Sequence, residues 1–187
     1  MRREAERTAG RTAVQIVHRT MRRRAGDPLR ETLRALEAEG YRVLSNTRAR
    51  TDSIDHIVIG PGGVFTVERN EWGGRFSLRE DGWFRHSRRE DAGIVVWTAN
   101  QHVMAVKAKL RAMGIEVPVH GLVALTAGRV SEGAIEMGRV LFVPATHTAR
   151  YIRSRHRSMS SEQIDLVAEA ILRGGVPGRT RPQAPIL

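Results

Sequence analysis

The sequence predicts an α/β domain built around a mixed sheet. Apolar runs of strand length alternate with longer segments of helical periodicity, in the order helix, several strands, helix, two strands, helices. Several strand-length runs are apolar on both faces, which is typical of strands covered on both sides of a sheet. With 187 residues, of which 41% are hydrophobic, the chain can enclose one core of ordinary domain size.

The elements of the first half are predicted from their boundary residues. A helix runs from about Asp27, an N-cap followed by Pro28, to Glu39, where Gly40 stops it. The run "YRVL" is predicted as a short strand and "SNTRARTD" as a polar loop. Two apolar strands, 54–59 and 64–68, flank "GPGG", and "RFSL" and "WFRH" form a second hairpin around "REDG".

The second half of the chain is predicted to alternate again between helix and strand. A long helix runs from about Ala92 to Met113, where Gly114 stops it. The runs "VPVHGLVAL" and "VLFVP" are predicted as buried strands. Later helices begin near Thr146 and at Ser160, and the second start matches a capping box because a glutamine follows Ser160 by three residues.

The chain divides into an arm, a domain and a tail. Residues 1–25 carry eight arginines and are predicted as a basic N-terminal arm or helix, residues 26–174 as the folded domain, and residues 175–187 as a loose C-terminal tail. No apolar run is long enough for a transmembrane helix, and the basic start lacks the apolar region of a secretory signal. A cytoplasmic protein with no membrane partner is therefore expected.

The formal net charge of +11 and the absence of cysteine limit which partners and ligands the protein can have. Nearly all of the positive charge is arginine, since Lys107 and Lys109 are the only lysines. Arginine forms forked contacts with phosphate, so the charge favours a nucleic-acid partner. An arginine-rich codon usage would give the same composition without any ligand, and both explanations stay open. Without cysteine there are no disulfides and no thiolate metal sites.

Two acidic residues of the first hairpin are predicted to face each other. If "GPGG" is the loop, Asp55 lies opposite Glu68, with Cβ atoms about 4.5–5.5 Å apart. Asn70 follows Glu68 by two residues and shares its face. Two carboxylates so placed suit Mg²⁺ or Mn²⁺, completed by waters and a substrate phosphate. The alternative is that both acids lie near strand ends and pair with arginines.

The same hairpin resembles a known family. The stretch "IDHIVIGPGGVFTVE", followed by Trp72 and Gly74, is similar to the core of nuclease-related domains (NERD), which are assigned to the PD-(D/E)xK nuclease superfamily. The similarity extends from about Gly26 to Pro144. It implies a restriction-endonuclease-like fold, in which helices flank a mixed sheet.

The resemblance implies roles for particular residues. Asp55 and Glu68 are the acids that would hold Mg²⁺ or Mn²⁺, Asp27 is a first-helix acid, and Gln101 matches the glutamine of the family's long helix. Asn70 stands where the family pattern has a lysine that orients the attacking water. Losing such a donor costs on the order of 10²–10³ in rate.

Two hypotheses about function follow from the resemblance. The first is a metal-dependent nuclease acting on DNA phosphodiesters, weakened by Asn70. The second is a catalytically inactive nuclease fold that binds nucleic acid, or a protein partner, through its arginines. DNA is favoured over RNA, and a homodimer is compatible with the fold. The arginines predicted to contact nucleic acid are Arg69, Arg75, Arg85, Arg88 and Arg89.

Overall fold

The structure is a computed structural model that describes residues 26–48, 53–78, 84–87, 93–131 and 133–173. The predicted arm and tail lie outside these residues, as do two of the predicted nucleic-acid contacts, Arg88 and Arg89.

The elements within these ranges follow the predicted order. The helices are α1 (Pro28–Ala38), α2 (Gly93–Ala112), α3 (Thr148–Ser154) and α4 (Ser161–Leu172), and a 3₁₀ turn, Ala145–His147, precedes α3. The strands are β1 (Arg42–Arg48), β2 (Ser53–Gly60), β3 (Gly63–Asn70), β4 (Gly74–Leu78), β5 (Phe84–His86), β6 (Val119–Leu125), β7 (Gly128–Val130), β8 (Ile135–Met137) and β9 (Val140–Pro144). The predicted helix boundaries at Asp27 and Ser160 are confirmed, since both side chains cap their helices.

The main sheet is mixed, as predicted. Its strand order is β1-β2-β3-β6-β9-β8, in which β3, β6 and β9 are parallel and the remaining neighbours are antiparallel. Helices α1 and α3 cover one face, here called the α1 face, and α2 and α4 cover the other, here called the α2 face. This arrangement is compatible with a restriction-endonuclease-like fold. A second sheet, β5-β4-β7, contains the predicted second hairpin.

Apolar side chains of alternating direction fill both faces of the central strands. On β3, Phe65 and Val67 pack toward the α1 face, whereas Val64 packs toward the α2 face. On β2, Val58 belongs to the α1 face and Ile57 to the α2 face. A polar residue on one of these strands is therefore covered by helices, whether its side chain points to the α1 face or to the α2 face.

One local prediction needs correction, and two short strands were missed. The polar stretch after "YRVL" is not all loop, because β1 continues to Arg48 and keeps pairing with β2. Asn46 within it has a φ of +52°, a left-handed conformation that asparagine tolerates better than most residues. The strands β7 and β8 were not predicted, because three residues are too few to show a period.

The turn between β2 and β3 sets the register of the two acidic residues. Gly60 pairs with Gly63, so the turn contains Pro61 and Gly62 alone rather than the predicted four residues. The register itself is the predicted one, since Ile59 pairs with Val64 and Ile57 pairs with Thr66. The ladder ends at the pair His56–Val67, and Asp55 and Glu68 are the next residues beyond it.

We expect Gly63→Ala to destabilise the protein by about 2–3 kcal/mol. Gly63 has a φ of +118°, and a Cβ there would lie 2.6 Å from the carbonyl oxygen of Pro118. Gly114 is the matched control, because its φ is +72° but a Cβ would meet open space. Gly114→Ala should cost only about 1 kcal/mol. Urea unfolding followed by tryptophan fluorescence measures both, and equal costs would contradict the steric argument.

Candidate functional site

Asp55 and Glu68 are neighbours on adjacent strands, β2 and β3, and Glu68 faces α2. Oδ2 of Asp55 accepts a hydrogen bond from the backbone N–H of Arg69 at 2.8 Å, and the backbone of Asp55 donates one to the Glu68 carboxyl group. The charge of Asp55 is one of the causes that raise the pKa of Glu68. The two predicted metal-binding acids are thus in each other's electrostatic field.

A histidine that the sequence analysis missed completes this cluster. His102, on α2, places Nδ1 2.5 Å from Oε1 of Glu68, and its side chain is 4% exposed. Burial is the largest cause of the raised pKa of Glu68, whereas the hydrogen bond and charge of His102 act to lower it. A signal was present, because the buried α2 positions Ala99, His102 and Val106 recur at helical spacing.

Asn70 is built into the end of β3. Its side chain is buried, with 7% of the residue exposed, and its Oδ1 accepts a hydrogen bond from the backbone N–H of Trp72 at 3.0 Å. Its carbonyl oxygen accepts a hydrogen bond from the backbone of Thr126 at 2.9 Å. At the position of the family's lysine, this chain therefore has a neutral amide that binds its own backbone.

Comparison with known proteins decides the family. The sequence model of the nuclease-related domain, NERD, matches residues 23–126. This chain belongs to the NERD family. NERD domains are of the PD-(D/E)xK nuclease kind, so the chain has a nuclease-related function, in a family that is typically metal-dependent. No curated protein and no solved structure matches it.

Neither lysine of this NERD domain replaces the missing motif lysine at Asn70. The Nζ atom of Lys109 donates a hydrogen bond to the carbonyl oxygen of Ile171 at 2.6 Å, at the end of α4. Burial lowers the pKa of Lys109. Lys107 lines a cavity at the amino-terminal ends of β3 and β6, whereas Glu68 lies toward their carboxyl-terminal ends.

Gln101 lies on the solvent side of α2, where its side chain is exposed. The side chain that reaches Glu68 from this helix is that of its neighbour, His102. The role of Gln101 at the site stays a prediction that no contact among the described residues supports.

Asp27 and Arg69 meet on the α1 face, on the other side of the sheet from Glu68. Oδ1 of Asp27 accepts a hydrogen bond from the backbone of Leu29 at 3.1 Å and lies 2.5 Å from Nη2 of Arg69. Nε of Arg69 is 3.7 Å from Oε1 of Glu71. A nucleic-acid contact by Arg69 would have to compete with these carboxylates. Asp27 is therefore linked to Asp55 only indirectly, since it contacts the side chain of Arg69 and the backbone N–H of Arg69 donates to Asp55.

The pair of carboxylates fits a Mg²⁺ or Mn²⁺ ion. Asp55 and Glu68 supply two oxygen ligands, and waters with a substrate phosphate normally complete the shell of such an ion. Burial and the Asp55 charge both disfavour a negative Glu68, and a cation would relieve this. Among the described residues, no group of three or more histidines and acids converges as a closed metal site. A bound metal would supply an activated water and charge stabilisation at the scissile phosphate.

An exposed basic face lies on the second sheet. Arg75 pairs directly with Arg129 on β7, and Arg85 on β5 pairs with Ser77, two residues from Arg75. All three arginines are exposed and share one face. Like charges opposite each other destabilise a sheet unless an anion covers them. We call Arg75, Arg85 and Arg129 the arginine face; Arg129 was missed because β7 was not predicted.

The order of the strands places the arginine face toward the same end of the main sheet as Glu68. Strand β4 begins four residues after β3 ends at Asn70, and β7 begins three residues after β6 ends at Leu125. The second sheet therefore starts at the carboxyl-terminal ends of β3 and β6, the ends toward which Glu68 lies. Within the described part of the chain, no helix is both long and apolar enough to cross a membrane.

Proposed function

We propose that this protein is a metal-dependent nuclease that hydrolyses DNA phosphodiesters slowly, in the cytoplasm. The observation that carries the proposal is the pairing of Asp55 and Glu68 on adjacent strands of a NERD domain. Mg²⁺ or Mn²⁺ is the cofactor that this donor set suits. Asn70 lacks the positive charge that a lysine would bring to the transition state, which lowers the rate.

The arginine face supports a nucleic-acid substrate. Its three exposed guanidinium groups lie at the same end of the sheet as the acids, and each can form a forked contact with a backbone phosphate. Backbone contacts carry no sequence information, so we expect binding with little sequence preference. DNA is the proposed substrate. Comparing cleavage of a DNA duplex with cleavage of an RNA duplex of the same sequence tests this choice.

A specific observation favours the second candidate, an inactive nuclease fold that binds nucleic acid or a protein partner. The amide of Asn70 is engaged by the backbone of Trp72, and Lys109 is engaged at Ile171. Among the described residues, no lysine is therefore positioned to orient a water beside Glu68. Metal binding without turnover would be the expected behaviour of such a module.

Calorimetric titration of Mn²⁺ into wild type and Asp55→Asn tests the metal site. We expect wild type to bind Mn²⁺ and Asp55→Asn to bind at least about tenfold more weakly, because one charged ligand is lost. Asp165→Asn is the matched control, since Asp165 pairs with Arg42 on an exposed surface remote from the site. Light scattering on the same samples reports whether the protein is a homodimer.

A plasmid-nicking assay with Mn²⁺ separates the two candidates. Nicking by wild type that Asp55→Asn abolishes and Asp165→Asn preserves would support the nuclease. Metal binding with no nicking would support the inactive module. If wild type binds no metal, the paired acids are structural and the nuclease proposal is wrong.

A further inference from the structure

A cavity of about 390 Å³ opens at the amino-terminal ends of the parallel strands. Its walls come from the start of β6, from the turn between β8 and β9, and from the end of α3. Phe65 and His120, which pair across β3 and β6, lie three residues before the level of Glu68 and Val123. The cavity thus lies toward the opposite ends of these strands from the acids, and its volume is within the range of small-molecule sites.

The charge of this cavity is strongly positive. Lys107, Arg139 and Arg155 line it, and Glu136 is the one acid among its described lining residues. No described carboxylate forms an ion pair with any of these three cations. Three positive groups against one negative group leave an excess of two positive charges. Unpaired cations around a concave space attract an anion.

Aromatic side chains form the flat part of the wall. The ring of His120 stacks on that of Phe65 with centroids 5.1 Å apart, and it donates a hydrogen bond to the carbonyl group of Gly62. Burial lowers the pKa of His120, which disfavours a charge on this ring, so the cations of the cavity are Lys107, Arg139 and Arg155. Tyr151, half-buried on α3, supplies a second ring. The cavity therefore combines cations with aromatic surface.

We propose that this cavity binds a small phosphate monoester of the nucleoside monophosphate class. A phosphate monoester carries a charge of about −1.5 to −2 at pH 7, which matches the excess of the lining cations. Arg155 can offer a guanidinium fork to its oxygens, and Arg139, whose Nη1 donates to Sδ of Met104 at 3.4 Å, can offer its remaining N–H groups. The rings of His120 and Tyr151 offer surface to a base. This site is separate from the paired acids and does not depend on nuclease activity.

Calorimetric titration of adenosine 5′-monophosphate into the full chain without metal tests the proposal. We expect binding by wild type, none by adenosine, and at least about tenfold weaker binding by Arg155→Gln, which loses a charge-assisted hydrogen bond. Arg150→Gln is the matched control, because Arg150 is exposed on α3 and does not line the cavity. Its affinity should stay within about twofold of wild type, since an exposed charge outside the cavity lining is screened by solvent and salt.

A variant with higher affinity is also needed, because a misfolded variant would lose binding for a trivial reason. Glu136→Gln removes the one lining acid and should tighten binding of adenosine 5′-monophosphate by several-fold, as a repulsive charge is removed. Absence of binding by wild type, or equal weakening in Arg150→Gln and Arg155→Gln, would overturn the proposal. So would a result in which Arg155→Gln weakens only binding of a DNA duplex, because the cavity would then be part of a nucleic-acid surface.

Discussion

Asn70→Lys should raise the plasmid-nicking rate by roughly 10²–10³, the usual value of one preorganised electrostatic donor. The side chain at position 70 lies on the face of Glu68, two residues along β3, so an ammonium group there would reach the region beside the paired acids. The substitution also removes the hydrogen bond from Trp72 to the asparagine, at a cost of about 1 kcal/mol in stability. The domain should tolerate this loss.

Asn70→Met separates charge from shape in this experiment. Methionine has a stem similar to that of lysine and loses the same hydrogen bond from Trp72, but it carries no charge. We expect Asn70→Met to nick no faster than wild type. Equal acceleration in both variants would show that release of the buried amide, and not the ammonium charge, limits the rate. No acceleration by lysine, in a protein that still binds Mn²⁺, would favour the inactive module.

His102→Ala should lower the free energy of unfolding by about 3 kcal/mol, since it breaks a buried pair and leaves the Glu68 carboxyl without its histidine. His156 is exposed in the loop before α4, and His156→Ala should be nearly neutral. Adding Glu68→Gln to His102→Ala should recover part of the loss, because no charge then remains buried. Urea unfolding followed by tryptophan fluorescence gives the free energy of unfolding of wild type, of the two single variants and of the double variant.

The loss in His102→Ala should depend on pH. Burial raises the pKa of Glu68 in the folded state above its ordinary value of 4.5, so the folded protein holds this proton more tightly than the unfolded chain. The resulting stabilisation is fully present below pH 4.5 and is lost as pH rises through the folded pKa. His102 opposes this shift, so its removal raises the pKa further. The variant should therefore lose more stability at pH 8 than at pH 5; a loss independent of pH would contradict a buried charge as its cause.

Sequence patterns predicted the main sheet because its central strands are apolar on both faces. The same regularity predicted the register of the hairpin, in which Ile57 pairs with Thr66, since pairing across a hairpin depends only on where the turn falls. The turn is two residues shorter than "GPGG". Because one residue is removed from each side of the turn, every pair of facing residues is unchanged. The N-caps Asp27 and Ser160 were predictable because capping is a local interaction.

The rest of the candidate site depends on contacts between residues distant along the chain. His102 reaches Glu68 across 34 positions, and its neighbour Gln101 drew attention only through the family pattern. Arg129 meets Arg75 through a strand of three residues. The engagement of Asn70 by the backbone of Trp72 is local, and the two-residue spacing of an Asx turn could have suggested it.

The family match ends at residue 126, but the sheet does not. Strand β6 pairs with β9, Val140–Pro144, and α4, Ser161–Leu172, packs on β1 and β2. A recombinant fragment cut at the matched boundary would leave β6 as a bare edge with unpaired amides and carbonyls, and such edges recruit other chains into aggregates. Expression of a well-behaved domain should therefore require the chain through α4, and insolubility of a shorter fragment would say nothing about its chemistry.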